Sequence, residues 1–77
     1  MRNKYYLIEQ YRIELDEPWA IFGKRISDET GISISTIYKV VTGKVTPNAR
    51  TAKKIGDWMS SHLDEIVLTL HKTEIKA

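Results

Sequence analysis

Along this chain the apolar residues recur three and four positions apart, the period of one face of an α-helix, and short polar stretches interrupt them. Between Lys4 and Leu15 the stripe is Tyr5, Ile8, Tyr11 or Arg12, and Leu15, with Leu7 at its edge, and it predicts an amphipathic helix. Asp16-Glu17-Pro18 then breaks the pattern. An acidic pair before a proline predicts a new helix beginning near Pro18. Proline removes an amide that the first turn leaves unpaired, and carboxylates favour the positive end of the helix dipole. This second helix is expected to reach Glu29 or Thr30 and to bury Trp19, Phe22 and Ile26. Gly23 lies in its middle, at a cost of about 1 kcal/mol relative to alanine. Such a cost predicts that another backbone approaches closely there, or that the helix starts later.

Gly31 stands where a chain leaving one helix needs a left-handed residue, which glycine supplies without a Cβ clash. Ser33 can cap the next helix, expected from Ser33 to Val41 or Thr42, with Ile37, Val40 and Val41 facing a core and Gly43 ending it. Lys44-Val45-Thr46-Pro47-Asn48 reads as a loop. Asn48 can cap a fourth helix that turns Ala49, Ala52, Ile55 and Trp58 or Met59 inward. Ser60 or Ser61 can cap a fifth helix running to His71, in which Leu63, Ile66, Val67 and Leu70 repeat as core or as a dimer seam. Val67 to Leu70 also tolerates a strand, so a short C-terminal strand pairing with a second subunit is the other reading of that segment. Residues 72–77 are expected to be a frayed tail. The chain is thus expected to be all-α, a compact bundle of about five short helices forming one domain over residues 1–77, with no linker, repeat or low-complexity segment.

Composition narrows the classes. An apolar fraction of 42% suits a folded soluble protein, and no apolar run approaches the roughly 18 residues of a membrane-spanning helix. The opening Met-Arg-Asn-Lys-Tyr-Tyr leads into mixed charges rather than an apolar signal segment. With no cysteine there is neither a disulfide framework nor a thiolate metal site, and a reducing cytoplasm is the expected location. His62 and His71 fall on different helix faces, Asp64 and Glu65 are adjacent and point apart, and the four glycines form no phosphate-cradling loop. No enzyme, metal or cofactor is therefore expected.

The net charge of +2 is unevenly divided. Residues 1–22 carry three basic and four acidic groups, residues 23–54 seven and two, and residues 55–77 two and four. The positive charge gathers around the third helix and fits an anionic partner. Turned away from Ile37, Val40 and Val41 are Ser35, Thr36, Tyr38, Lys39 and Thr42. Hydroxyls, one phenol and one ammonium can enter a major groove without desolvating a carboxylate beside phosphates. Singly, Ser33 is a helix cap, Tyr38 a surface aromatic, and Lys39 and Lys44 solvated charges. Their clustering on one stripe fits an anionic partner and gains weight only within a matched motif. Trp19, Phe22 and Trp58 fall on apolar stripes and read as core.

From about Phe22 to Met59, roughly half of the chain, the sequence resembles the Cro and lambda-repressor superfamily of helix-turn-helix regulators, also called the xenobiotic response element family. Ile26 matches the large apolar place of the first motif helix, Ser27 the small place usually filled by alanine, and Gly31 the turn glycine. Ile32, Ile37 and Val40 match the buried places of the turn and recognition helix, and Thr46-Pro47-Asn48 the loop into the next helix; the motif spans about 22–44. Two positions depart from the family pattern. Gly23 replaces a glutamine that usually meets the DNA backbone, a contact that is either lost or supplied by Lys24. Ile34 replaces a glutamine that commonly reads adenine, and can pack on a thymine methyl instead.

The resemblance implies that Ile34, Ser35, Tyr38 and Lys39 reach base edges, Lys39 donating to guanine O6 and N7. It also implies backbone contacts from Lys24, Ser33, Thr36, Thr42, Lys44, Asn48, Arg50 and Lys53, aided by the amides that open helix four. One recognition helix supplies three or four base contacts at roughly 1–3 kcal/mol each, whereas selecting one site among about a million competitors needs roughly 8 kcal/mol. A homodimer on pseudo-palindromic double-stranded operator DNA, with recognition helices about 34 Å apart, meets that need. Its seam is expected within residues 60–71, at Leu63, Ile66, Val67 and Leu70. The resemblance thus implies a phage-type or bacterial repressor. The contrasting expectation is a helix-turn-helix domain that grips another protein, as an antitoxin or antirepressor.

Overall fold

In the computed structural model, which describes residues 4–76 and their side chains as far as His71, five α-helices follow one another: α1 (Tyr6–Leu15), α2 (Trp19–Thr30), α3 (Ile34–Val41), α4 (Ala49–Ser61) and α5 (Leu63–Lys76). Among the described residues there is no strand, and no helix is long and apolar enough to cross a membrane. The all-α bundle expected from periodicity is the observed architecture, and the strand considered for Val67 to Leu70 is helix instead.

One core joins all five helices. Tyr5, Ile8 and Tyr11 come from the first segment, Phe22 and Ile26 from α2, Ile37, Val40 and Val41 from α3, Ile55 and Trp58 from α4, and Ile66 from α5, each at most 5% exposed. Phe22 lies at the centre of the aromatic packing, edge-on to Tyr11 (5.9 Å), Trp19 (5.6 Å) and Trp58 (6.2 Å). These perpendicular arrangements set the positive edge of one ring against the negative face of another. Tyr11 also ties α1 to α5, its hydroxyl donating to Glu65 Oε2 at 3.2 Å. Burial first, and then the neighbouring carboxylate, push the phenol pKa above its ordinary value of 10.0.

Several local expectations are corrected. Asp16 closes α1 rather than opening α2: it adopts the left-handed conformation (φ 56°), which aspartate tolerates better than most residues, and amides at this turn return to the Arg12 and Ile13 carbonyls. Pro18 caps α2 and Trp19 is its first helical residue, so the expected start near Pro18 holds and the later start considered for this helix does not. Ser60 and Ser61 do not cap the fifth helix. No breaker separates the two stripes, so α4 continues through both serines and the chain pivots on His62 alone. The His62 amide donates to the Trp58 carbonyl (3.1 Å) while its own carbonyl accepts from Ile66 (3.0 Å). Ala49, at the outer end of α4, is exposed rather than inward. α5 runs to Lys76, and the frayed tail expected over residues 72–77 lies beyond the residues whose side chains are described.

Candidate nucleic-acid interface

The α2–α3 connection is a three-residue turn made by Gly31, Ile32 and Ser33. Gly31 takes φ 77°, and its amide donates to the Ser27 carbonyl at 2.8 Å, closing α2 as its position in the sequence predicts. Thr30 braces the turn: its hydroxyl donates to the Ile26 carbonyl (2.8 Å) and accepts from the Ile32 amide (3.2 Å). Ser33 then opens α3, its Oγ accepting from the Thr36 amide at 3.3 Å. The Ser33 hydroxyl proton is directed to Thr36 Oγ1 (2.9 Å), so the Thr36 proton is the one left for an external acceptor.

Ile37, Val40 and Val41 fix the inner side of α3 in the core, and this orientation leaves Ser35, Tyr38 and Lys39 exposed. Tyr38 is 37% exposed, and its hydroxyl has no hydrogen-bond partner among the described residues. At the C-terminal end the Thr42 hydroxyl donates to the Tyr38 carbonyl (2.6 Å), and Gly43 takes φ 79°. That left-handed residue folds the chain back so that the Lys44 amide donates to the Lys39 carbonyl at 2.8 Å. The Lys44 ammonium consequently lies 5.8 Å from the centroid of the Tyr38 ring. The next helix is capped by Asn48, whose Oδ1 accepts from the Thr51 amide at 2.9 Å, leaving the side-chain NH2 to donate elsewhere.

Ile34 is placed differently from the other candidate base-reading residues. It is half-buried against α2, and a Cβ built on Gly23 would lie 2.7 Å from its Cγ2 and 3.3 Å from Trp19 Cε3. The close approach expected at Gly23 is therefore made by side chains, chiefly that of Ile34, rather than by another backbone. Gly23 is the floor on which the start of α3 rests.

Between Glu29 and Asp57 the chain carries five cations and no carboxylate. Among the described residues Lys39, Arg50 and Lys54 form no ion pair. Lys24 and Lys53 are each joined to a carboxylate one turn on, Asp28 at 3.2 Å and Asp57 at 3.1 Å, and they make no bond with the Tyr38–Lys44 group. Both pairs are about two-thirds exposed or more, and exposed pairs of this spacing contribute about 0.3–0.5 kcal/mol, so a phosphate can displace either carboxylate.

Two contributors escaped the sequence reading. Lys54 is exposed on α4 one turn beyond Arg50, a spacing that was legible. Trp19 is the other: its ring lies 5.5 Å from that of Tyr38 at 89°, and no spacing rule connects residues on two different helices. The proposed seam divides. Ile66 is 0% exposed and Leu70 is partly buried against the core, so the seam assignment is corrected for Ile66, which the monomer itself consumes. Leu63 (40% exposed) and Val67 (52%) are open, as is Leu68 (55%), which the sequence reading did not include. Periodicity alone does not say which of two neighbouring apolar stripes turns inward.

Compared with family models, curated proteins and solved structures, the chain matches none of them. The resemblance to the Cro and lambda-repressor family accordingly rests on the motif residues between Phe22 and Met59.

Proposed function

We propose that this chain is a sequence-specific DNA-binding regulator of the Cro and lambda-repressor type, which acts in the cytoplasm and represses by occupying operator DNA. One observation supports this above the others. A helix anchored by Ile37, Val40 and Val41 presents Ser35, Tyr38 and Lys39 to solvent, within a stretch of chain that holds five cations and no carboxylate. Lys39 donates to guanine O6 and N7, Ser35 and the Tyr38 hydroxyl meet base edges or phosphate, and the exposed flank of Ile34 packs on a thymine methyl. Thr36, Lys44, the Asn48 NH2 and the amides opening α4 hold phosphates, with Arg50, Lys53 and Lys54 adding charge. Leu63, Val67 and Leu68 supply the apolar contact between two copies.

Selection of bound sequences from a random duplex pool tests the proposal, because an enriched motif reveals half-site sequence and spacing together. Binding to that motif should weaken steeply with salt, with a log-log slope set by the number of phosphates neutralised. Lys39→Ala should flatten base preference, whereas Lys44→Ala should weaken binding to all duplexes alike and lower the salt slope by about one. No enrichment, together with a salt-insensitive protein partner held through Leu63, Val67 and Leu68, would favour the antitoxin or antirepressor class instead.

A further inference from the structure

We propose that Trp19, outside the motif that resembles the repressor family, is a positioning residue that sets base preference by holding Tyr38. This inference rests on the DNA-binding role of α3. Tyr38 projects from α3 with its hydroxyl unengaged among the described residues, so its reach toward a base is decided by what holds the ring. Two groups do so. The Lys44 ammonium lies over the ring at 5.8 Å, and the Trp19 indole meets it at 5.5 Å with the planes at 89°. A phosphate bound by Lys44 competes with the ring for its ammonium, whereas the Trp19 contact is uncharged and persists on DNA.

Trp19 is itself held on three sides. The Arg12 guanidinium lies 5.4 Å from its ring, and that guanidinium is fixed by Glu9 Oε1 at 2.7 Å and by the Glu17 carbonyl at 2.8 Å. Phe22 packs perpendicular to it at 5.6 Å. Beneath it lies Gly23, where any Cβ would sit 3.3 Å from Trp19 Cε3. The indole is thus a rigid stop built on α1 and α2, and Tyr38 leans on it. Restricting an aromatic side chain before binding removes an ordering cost from the correct complex, and a ring held in one place reaches one base edge rather than several.

The test compares ratios of affinities. The probes are the duplex enriched from a random pool by the wild-type protein and a set of its single base-pair variants. Trp19→Met removes the ring and should reduce discrimination at one or two adjacent base pairs by about three- to tenfold, the span that the energy of an aromatic pair sets, while the salt slope stays that of the wild type. Trp19→Phe retains a ring and should keep most of the discrimination. In a Tyr38→Ala background, Trp19→Met should change discrimination no further, because its effect runs through Tyr38. Each ratio is measured on one sample, so a reduced folded fraction cancels, and Trp19→Leu supplies the same comparison if Trp19→Met does not fold. If the wild type enriches a motif and the ring-less variants discriminate as it does, or lose discrimination equally with and without Tyr38, the inference is overturned and the DNA-binding role survives. If the wild type enriches nothing, both fall.

Discussion

Gly23→Ala isolates the contact on which the start of α3 rests. Two opposing terms act on it. In a helix interior alanine is more favourable than glycine by about 0.8–1.0 kcal/mol, which alone would stabilise α2. Against this, the new methyl would lie 2.7 Å from Ile34 Cγ2 and 3.3 Å from Trp19 Cε3, where carbon atoms prefer about 3.5–4.0 Å. Isoleucine is stiff at χ1 within a helix, so Cγ2 escapes only if α3 moves or the side chain leaves its rotamer. Overpacking of this kind costs about 1–3 kcal/mol. The net expectation is a loss of about 1 kcal/mol, which for a domain of this size lowers the melting midpoint by about 4–8 °C. Removing Cγ2 with Ile34→Ala should reverse the sign: in that background Gly23→Ala should stabilise by about 0.5 kcal/mol, the remaining squeeze on Trp19 offsetting part of the propensity gain. The implied coupling of about 1.5 kcal/mol lies within the range measured for residues in contact. Urea unfolding of the four proteins, followed by circular dichroism at 222 nm, measures the cycle. Stabilisation by Gly23→Ala in both backgrounds, or equal effects in the two, would refute the packing described at this seat.

Three further outcomes concern the α5 side of the bundle. Because the Tyr11 pKa is raised in the folded state, the neutral phenol stabilises the fold fully below pH 10, and this contribution is lost as pH rises through the folded-state value. Tyr11→Phe should therefore flatten part of the alkaline decline in a pH series of urea midpoints, while costing about 1 kcal/mol near neutrality for the lost bond to Glu65; an unchanged alkaline slope would rule out that origin. Val67→Gln with Leu68→Gln should reduce self-association in sedimentation with little change in monomer stability, whereas Ile66→Ala should destabilise by about 2–5 kcal/mol; a folded Ile66→Ala protein that only fails to self-associate would return Ile66 to a seam.

The sequence by itself determined the helices, their order and most of the core, because helix period and capping are local properties. Ser33, Asn48, Gly31 and Gly43 perform the terminations their residue types imply. The outward set of Ser35, Tyr38 and Lys39 followed as well, since fixing Ile37 and Val40 inward fixes what lies opposite on the same helix. Local signals were weaker at junctions, where two elements compete for one residue: Asp16 closed the earlier helix, and Ser60 and Ser61 were absorbed into α4.

Only the tertiary structure decided which apolar stripe of α5 is spent on the core, since Ile66 and Val67 are equally apolar and one residue apart. It alone set Ile34 over Gly23 and Trp19 against Tyr38. The physical reason is common to these cases. A side chain's direction within its own helix is set by backbone geometry, but the group it meets on another helix depends on how the two helices pack, and that is a property of the whole core.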